Sequence, residues 1–185
     1  MQLATRRVYT GRVLNLDLDT VQFPDGSSGE LEIIRHPGAA AVVPVASDPA
    51  GADPMLLMLR QYRYASNGSL WEIPAGRLNQ GESPEACARR ELREEAGVEA
   101  GRMERLTTIW TTPGFTDEAI HLFWATDFRA TPPAREPDEF IEVVPRPLSD
   151  VLKGIRDGEI RDGKTVVAIL YMAGFVFGIQ GSRIE

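Results

Sequence analysis

GRLNQGESPEACARRELREEAGV, running from Gly76 to Val98, decides how the rest of the chain is read. Ser83 suits a helix N-cap, Pro84 the first helical turn and Glu85 the positive end of the helix dipole. Gly97 suits the stop. Between them Ala88, Leu92 and Ala96 recur at a spacing of four and make a stripe that can face a core. Glu91, Glu94 and Glu95 crowd an adjacent stripe, because positions three and four apart share a helix face. Each like-charge pair at that spacing costs about a few tenths of a kcal/mol. Read alone, the three glutamates favour a solvated acidic face paired with Arg89, Arg90 and Arg93. A local conflict of this kind inside the best-capped helix often marks a functional site, and the residues around the glutamates, from Gly76 to Val98, reverse that preference.

Outward from this helix the pattern alternates between strands and helices. Upstream, residues 8–35 read as antiparallel strands, with alternation through Val13, Leu14, Leu16 and Leu18 and a turn at Pro24-Asp25-Gly26-Ser27-Ser28. That unit is too small to be stable alone and should pack on the main domain or on a second subunit. Pro37-Gly38 marks a boundary, giving an N-terminal β unit over 1–37 and a main domain over 38–185. Residues 39–45 read as a buried strand, followed by strands at 55–60 and 70–73. Downstream, strands are expected at 106–111, 119–127 and 141–144, and closing helices at 149–157 and 164–177. The order predicts an α/β sandwich.

The 185 residues suit one compact domain with a small appendage, 43% apolar and 25% charged. A net charge of −7 without any Lys/Arg run disfavours nucleic acid as a partner. A single cysteine, Cys87, excludes an internal disulfide, and His36 and His121 are too few for a His-rich site. The first seven residues lack the apolar run of a signal peptide, and the longest apolar stretch, 166–179, is too short to span a bilayer. No membrane association and a cytoplasmic location are therefore expected.

Gly76, five residues, Glu82, seven residues, then Arg90-Glu91-Leu92-Arg93-Glu94-Glu95-Ala96-Gly97-Val98 reproduces the Nudix box, G-x5-E-x7-R-E-U-x-E-E-x-G-U, where U is a bulky aliphatic residue. Every fixed position matches, and the chain resembles the Nudix hydrolases. The resemblance implies an α/β/α sandwich around a mixed sheet, and Mg2+, with Mn2+ as a substitute. The ion would be held by Glu91, Glu94, Glu95 and the main-chain carbonyl of Ala75. It also implies that Gly76, Glu82, Arg90 and Gly97 are structural, with Arg90 forming an ion pair, Glu82 its candidate partner, that orients the glutamates. Magnesium takes carboxylate and carbonyl oxygens, neutralises a diphosphate and makes water a better nucleophile.

The flanks resemble the ADP-ribose pyrophosphatase branch: Gln61-Tyr62-Arg63-Tyr64, Leu70-Trp71-Glu72-Ile73-Pro74-Ala75-Gly76 and Thr112-Pro113-Gly114-Phe115-Thr116-Asp117-Glu118. The substrate implied is a small nucleoside diphosphate derivative, ADP-ribose first, cut to AMP and ribose 5-phosphate. By the same resemblance Arg63 and Arg35 are candidate phosphate contacts and Glu118 a candidate contact to the terminal ribose. Phe115 is left between stacking on a base and filling the core. The branch implies a homodimer with exchanged N-terminal strands, and a general base on the acidic loop before the last strand. Glu139 is best placed there and Glu136 is the runner-up. Glu94 is a further catalytic candidate, and a solvated acidic loop is as good a reading.

Gly158-Glu159-Ile160-Arg161-Asp162-Gly163-Lys164-Thr165 matches a P-loop pattern. It follows a predicted helix rather than a strand and carries two acids in the cradle, so a helix cap at Asp162-Gly163 is the better reading. Cys87 reads as a packing residue, His36 and His121 as structural and Trp71 as core. The rivals to ADP-ribose hydrolysis are turnover of another nucleotide sugar such as GDP-mannose, and a Nudix-like sensor that binds without cutting. The intact acidic set argues against the sensor.

Overall fold

Alternation along one buried strand divides the interior in two. The computed structural model describes residues 1–134 and 140–178. In chain order the strands are β1 (Gln2–Thr10), β2 (Asn15–Gln22), β3 (Ser28–Arg35), β4 (Ala39–Pro44), β5 (Met55–Arg63), β6 (Gly68–Glu72) and β7 (Ala75–Arg77). Helix α1 (Pro84–Ala96) follows, then β8 (Val98–Trp110), β9 (Ala119–Ala130) and β10 (Ile141–Pro147). Helices α2 (Leu148–Arg156) and α3 (Gly163–Tyr171) close the described chain, with one wider turn over Met172–Val176. Successive side chains of a strand point to opposite faces. On β4, Ala40 and Val42 therefore pack with Cys87, Ala88 and Leu92 of α1 and with Phe123 and Ala125 of β9. Ala39, Ala41 and Val43 turn the other way, onto Leu56, Met58, Val151, Leu152, Ala168 and Ile169.

The central sheet runs β7-β4-β9-β8 and is mixed, with β4 parallel to β9 and the other pairs antiparallel. A second sheet, β10-β5-β6, is antiparallel and lies on the face away from α1. The expected α/β/α sandwich with a mixed sheet is what forms. The N-terminal unit is a separate antiparallel sheet, β1-β2-β3. It docks where Ile34 N donates to Phe115 O (2.8 Å) and Asp117 N donates to Ile34 O (3.3 Å). The Arg35 guanidinium adds ion pairs to Asp17, Asp19 and Asp117.

Two expectations need adjustment. β8 begins at Val98, directly after the helix, rather than at residue 106. It is an edge strand bearing Glu99, Arg102, Glu104 and Arg105, so it lacks the apolar signature of a buried one. The last α-helix ends at Tyr171, and the remaining turn is wider than an α turn. Among the described residues no helix is long and apolar enough to cross a membrane.

Candidate active site

Helix α1 forms where its caps predict. Ser83 Oγ accepts from Ala86 N (3.2 Å), and Gly97 ends the helix at φ 67°, in the left-handed region that a side chain disfavours. This fixes which residues face β4, and with them the acidic stripe. Glu91 and Glu95 are not a solvated face: they are 8% and 3% exposed. Glu95 Oε2 accepts from Ala75 N (3.0 Å). Glu91 lies over Gly76, where a Cβ would sit 1.7 Å from its Oε1. That separation is far inside van der Waals contact, so the glycine is the space into which the carboxylate fits.

Arg90 organises the acids. Its Nε and Nη2 each donate to one oxygen of Glu82 at 2.9 Å, Nη1 donates to Glu91 (2.5 Å) and Glu94 (3.1 Å), and Nη2 also reaches Arg77 O (3.0 Å). A planar guanidinium is suited to such a fork. The hydrogen bond from Arg90 holds the Glu82 carboxyl at about 2, and Glu82 in turn raises Arg90 above its ordinary value. Cys87 is buried beneath, with Sγ at 3.4–3.5 Å from the carbonyls of Arg77 and Gly76. Burial pushes its thiol up to about 12, so it packs and does not attack.

Ala75, Gly76, Glu91 and Glu94 line a cavity of about 1200 Å³ together with Arg63, Trp110, Glu118 and Lys164. That is room for a nucleotide-sized ligand. Glu118 Oε2 accepts from Thr111 Oγ1 (2.9 Å), and its other oxygen faces His36 Nε2 at 3.6 Å. Arg63 donates twice to Glu72, at 2.8 Å each. Two candidates lie elsewhere. Arg35 is matched by its three aspartates, and Phe115 is half exposed at the junction with β3; neither lines the cavity. Glu136 and Glu139 lie outside the described residues. The segment leading to them is tied to α1, since Ala134 N donates to Glu94 O (3.1 Å) and Thr131 N to Gly97 O (2.9 Å).

Residues 158–165 follow α2, and Asp162 caps α3 by accepting from Thr165 N (3.1 Å) and Oγ1 (2.6 Å), as expected in place of a phosphate cradle. His36 Nδ1 accepts from Gly38 N (3.1 Å), and His121 Nδ1 pairs with Thr108 Oγ1 (2.8 Å); both are structural contacts. Trp71 packs against the core with Arg146 stacked on its ring. Sequence reading missed Glu72 and Lys164. The signal for Glu72 was an acid inside an otherwise apolar Leu70–Pro74 run. The one for Lys164 was hidden in a motif rightly set aside.

The donor set fits a hard divalent cation. Glu91, Glu94, Glu95 and the Ala75 carbonyl all offer oxygens, the ligands that magnesium and manganese take. Among the described residues no three His, Cys, Asp or Glu side chains are gathered closely enough to hold a metal ion by themselves. An ion there would complete its shell with water and ligand oxygens, which is how magnesium is usually held.

Residues 35–166 match the family model described as NUDIX domain. A protein of Bacillus methanolicus named methanol dehydrogenase activator is 39% identical over 172 residues, covering 92% of this chain and 90% of its own. The ADP-ribose pyrophosphatase of Bacillus subtilis (strain 168) is 38% identical with the same coverage. The GDP-mannose pyrophosphatase of Citrobacter koseri is 40% identical over 126 residues, 63% of this chain and 65% of its own. A solved structure described as an ADP compounds hydrolase superimposes with a TM-score of 0.80 at 21% identity, covering 100% of this chain and 96% of that one, and shares the fold.

Proposed function

The chain belongs to the Nudix hydrolase family, and from that premise we propose that it hydrolyses ADP-ribose to AMP and ribose 5-phosphate with magnesium. At the coarser level it is a Nudix pyrophosphohydrolase of the nucleotide-sugar kind. The observation that carries the reading is the burial of Glu91 and Glu95 against Ala75-Gly76, with Glu91 and Glu94 lining a cavity of nucleotide size. Arg90 already pairs with Glu91 and Ala75 N with Glu95, and the carboxylate oxygens so held are the ligands that a hard divalent cation takes. Support for ADP-ribose comes from the relative of that name, which aligns over 92% of the chain. GDP-mannose is the second reading, favoured by the 40% relative, but that alignment spans only 63% of the chain.

Glu91, Glu94, Glu95 and the Ala75 carbonyl would hold a magnesium ion, which when bound would neutralise the diphosphate and acidify water. Arg90 keeps the glutamates in place by tying Glu91 and Glu94 to Glu82. Arg63 meets phosphate and Glu118 the terminal ribose. Arg35 and Phe115 join the N-terminal sheet to the 112–118 segment that carries Glu118. Glu139, with Glu136 as runner-up and Glu94 as the further candidate, takes the proton from the attacking water.

The enzyme works as a homodimer in this reading, with 1–37 as the docking unit and 38–185 as the hydrolase domain. Supporting it, β1 is exposed along its whole length and presents Leu3, Val8 and Tyr9 to solvent, a surface monomers seldom leave open. Light scattering on Leu3→Glu/Tyr9→Glu should give half the mass of the unaltered protein. An unchanged mass removes the dimer assignment.

The deciding test is product analysis after incubation with ADP-ribose and magnesium, beside GDP-mannose and other nucleotide sugars. AMP and ribose 5-phosphate are expected, with the other substrates turned over more slowly. Equal turnover across the panel would defeat ADP-ribose as the substrate.

A further inference from the structure

Glu72 is 2% exposed, yet its carboxylate holds two cations from distant parts of the chain. Arg63, at the end of β5, donates to both oxygens at 2.8 Å. Lys164, in the first turn of α3, donates to Oε2 at 2.6 Å and to Asp162 Oδ2 at 3.0 Å. Burial pushes the Glu72 carboxyl up, but Arg63 and Lys164 outweigh it and hold it below the usual carboxylate range. Glu72 itself does not line the cavity, whereas Arg63, Lys164 and Asp162 do, together with Glu91 and Glu94.

The two cations differ in how far they are enclosed, the Lys164 side chain being 13% exposed. The Arg63 side chain stays 42% exposed against 2% for Glu72. Donors also remain unspent. Arg63 uses Nε and Nη2 on Glu72, which leaves Nη1 without a partner among the described residues, and Lys164 uses two of its three hydrogens. The backbone between this carboxylate and the acidic corner is pinned at each step. Ile73 N donates to Thr165 Oγ1 (3.1 Å), Val42 N to Pro74 O (3.0 Å) and Ala75 N to Glu95 Oε2 (3.0 Å). The separation between the two cations and Glu91 and Glu95 is therefore set before any ligand arrives. Fixing a lysine and an arginine in single conformations costs side-chain entropy on folding rather than on binding.

We propose that Glu72 is a positioning residue: it holds Arg63 and Lys164 side by side at the cavity, and those two cations grip the anionic phosphate oxygens of the substrate. This rests on the reading of the cavity as a diphosphate site and adds Glu72 and Lys164 to it. Lys164 is the part of the 158–165 motif that matters, through its side chain rather than through a backbone cradle.

The test compares the full chain with Lys164→Met, Glu72→Gln and the double variant, using ADP-ribose hydrolysis with magnesium. For Lys164→Met, KM should rise about tenfold, as expected for one charge-assisted contact, while kcat changes less than about threefold. Glu72→Gln should raise KM further, and the double variant should add little to it, because both act through one contact. In parallel, calorimetric titration of ADP in the presence of a chelator reads the grip without turnover. Lys164→Met should weaken it by the same factor, and that arm stands even if Glu72→Gln does not fold. ADP binding and KM unchanged by Lys164→Met would overturn the proposal. Failure of the substrate reading would look different: the unaltered protein would leave ADP-ribose intact, while ADP titration would still report on the two cations.

Discussion

Gly76 and Glu95 carry the most informative single substitutions. Gly76→Ala places a methyl group 1.7 Å from the Glu91 carboxylate, so the carboxylate must leave its place. The expected outcome is loss of hydrolysis with destabilisation of about 1–3 kcal/mol, seen in steady-state rates and thermal melts. Normal activity in a Gly76→Ala enzyme would show that Glu91 need not sit where it does. Glu95→Gln keeps the shape and the hydrogen bond from Ala75 N but removes the charge. Its kcat should fall about 100-fold or more while circular dichroism stays unchanged, since the contribution asked of the charge is several kcal/mol. A full rate would remove Glu95 from the metal set. At this scale the Nudix box was legible in nearly every position, because each of its residues answers to a local constraint: a cap, a glycine gap or a fork of hydrogen bonds. Glu72 and Lys164 were not legible, because the contact between them joins residues 92 apart in sequence.

Helix α1 came out of the sequence with its ends at Pro84 and Ala96, because capping is decided by neighbours a few residues away. β8 did not, because an edge strand with one partner can carry charges at alternate positions and loses the apolar rhythm. The acidic residues expected to hold the base, Glu136 and Glu139, lie outside the described residues, and Ala134 before them donates through its N to Glu94 O. Since α1 is anchored on both sides, by its caps and by Leu92 and Ala88 in the core, weakening one cap should cost stability and spare chemistry. Ser83→Ala is expected to lower unfolding free energy by about 1 kcal/mol in urea titrations, with KM and kcat at 25 °C close to the unaltered enzyme. A large loss of kcat without loss of stability would mean that the cap tunes the glutamates directly.

For the whole molecule, the N-terminal sheet is held together internally by charge, Arg7 and Arg35 bridging to Asp17 and Asp19, and charge makes that cohesion pH-dependent. The Asp17 carboxyl is held below its ordinary value of 3.8 by Arg7 and then Arg35, and that of Asp19 by Thr5 and then Arg35. Groups whose folded pKa is depressed contribute stability that is present above the unfolded value and lost as pH falls through the folded one. Amide exchange in β1 and β2 should therefore accelerate below about pH 3.8, ahead of exchange in β4 and β9, and Asp17→Asn should remove much of that acid sensitivity. Exchange that rises together in all four strands would show that the two sheets open as one unit. The interior of the hydrolase fold offers a practical return as well. The chain has one thiol, it is buried under the first turns of α1, and its pKa is far above neutrality. Maleimide reagents would pass it by, so a cysteine engineered onto any surface loop becomes the sole attachment point for a fluorophore or spin label, with no need to strip the native one out first.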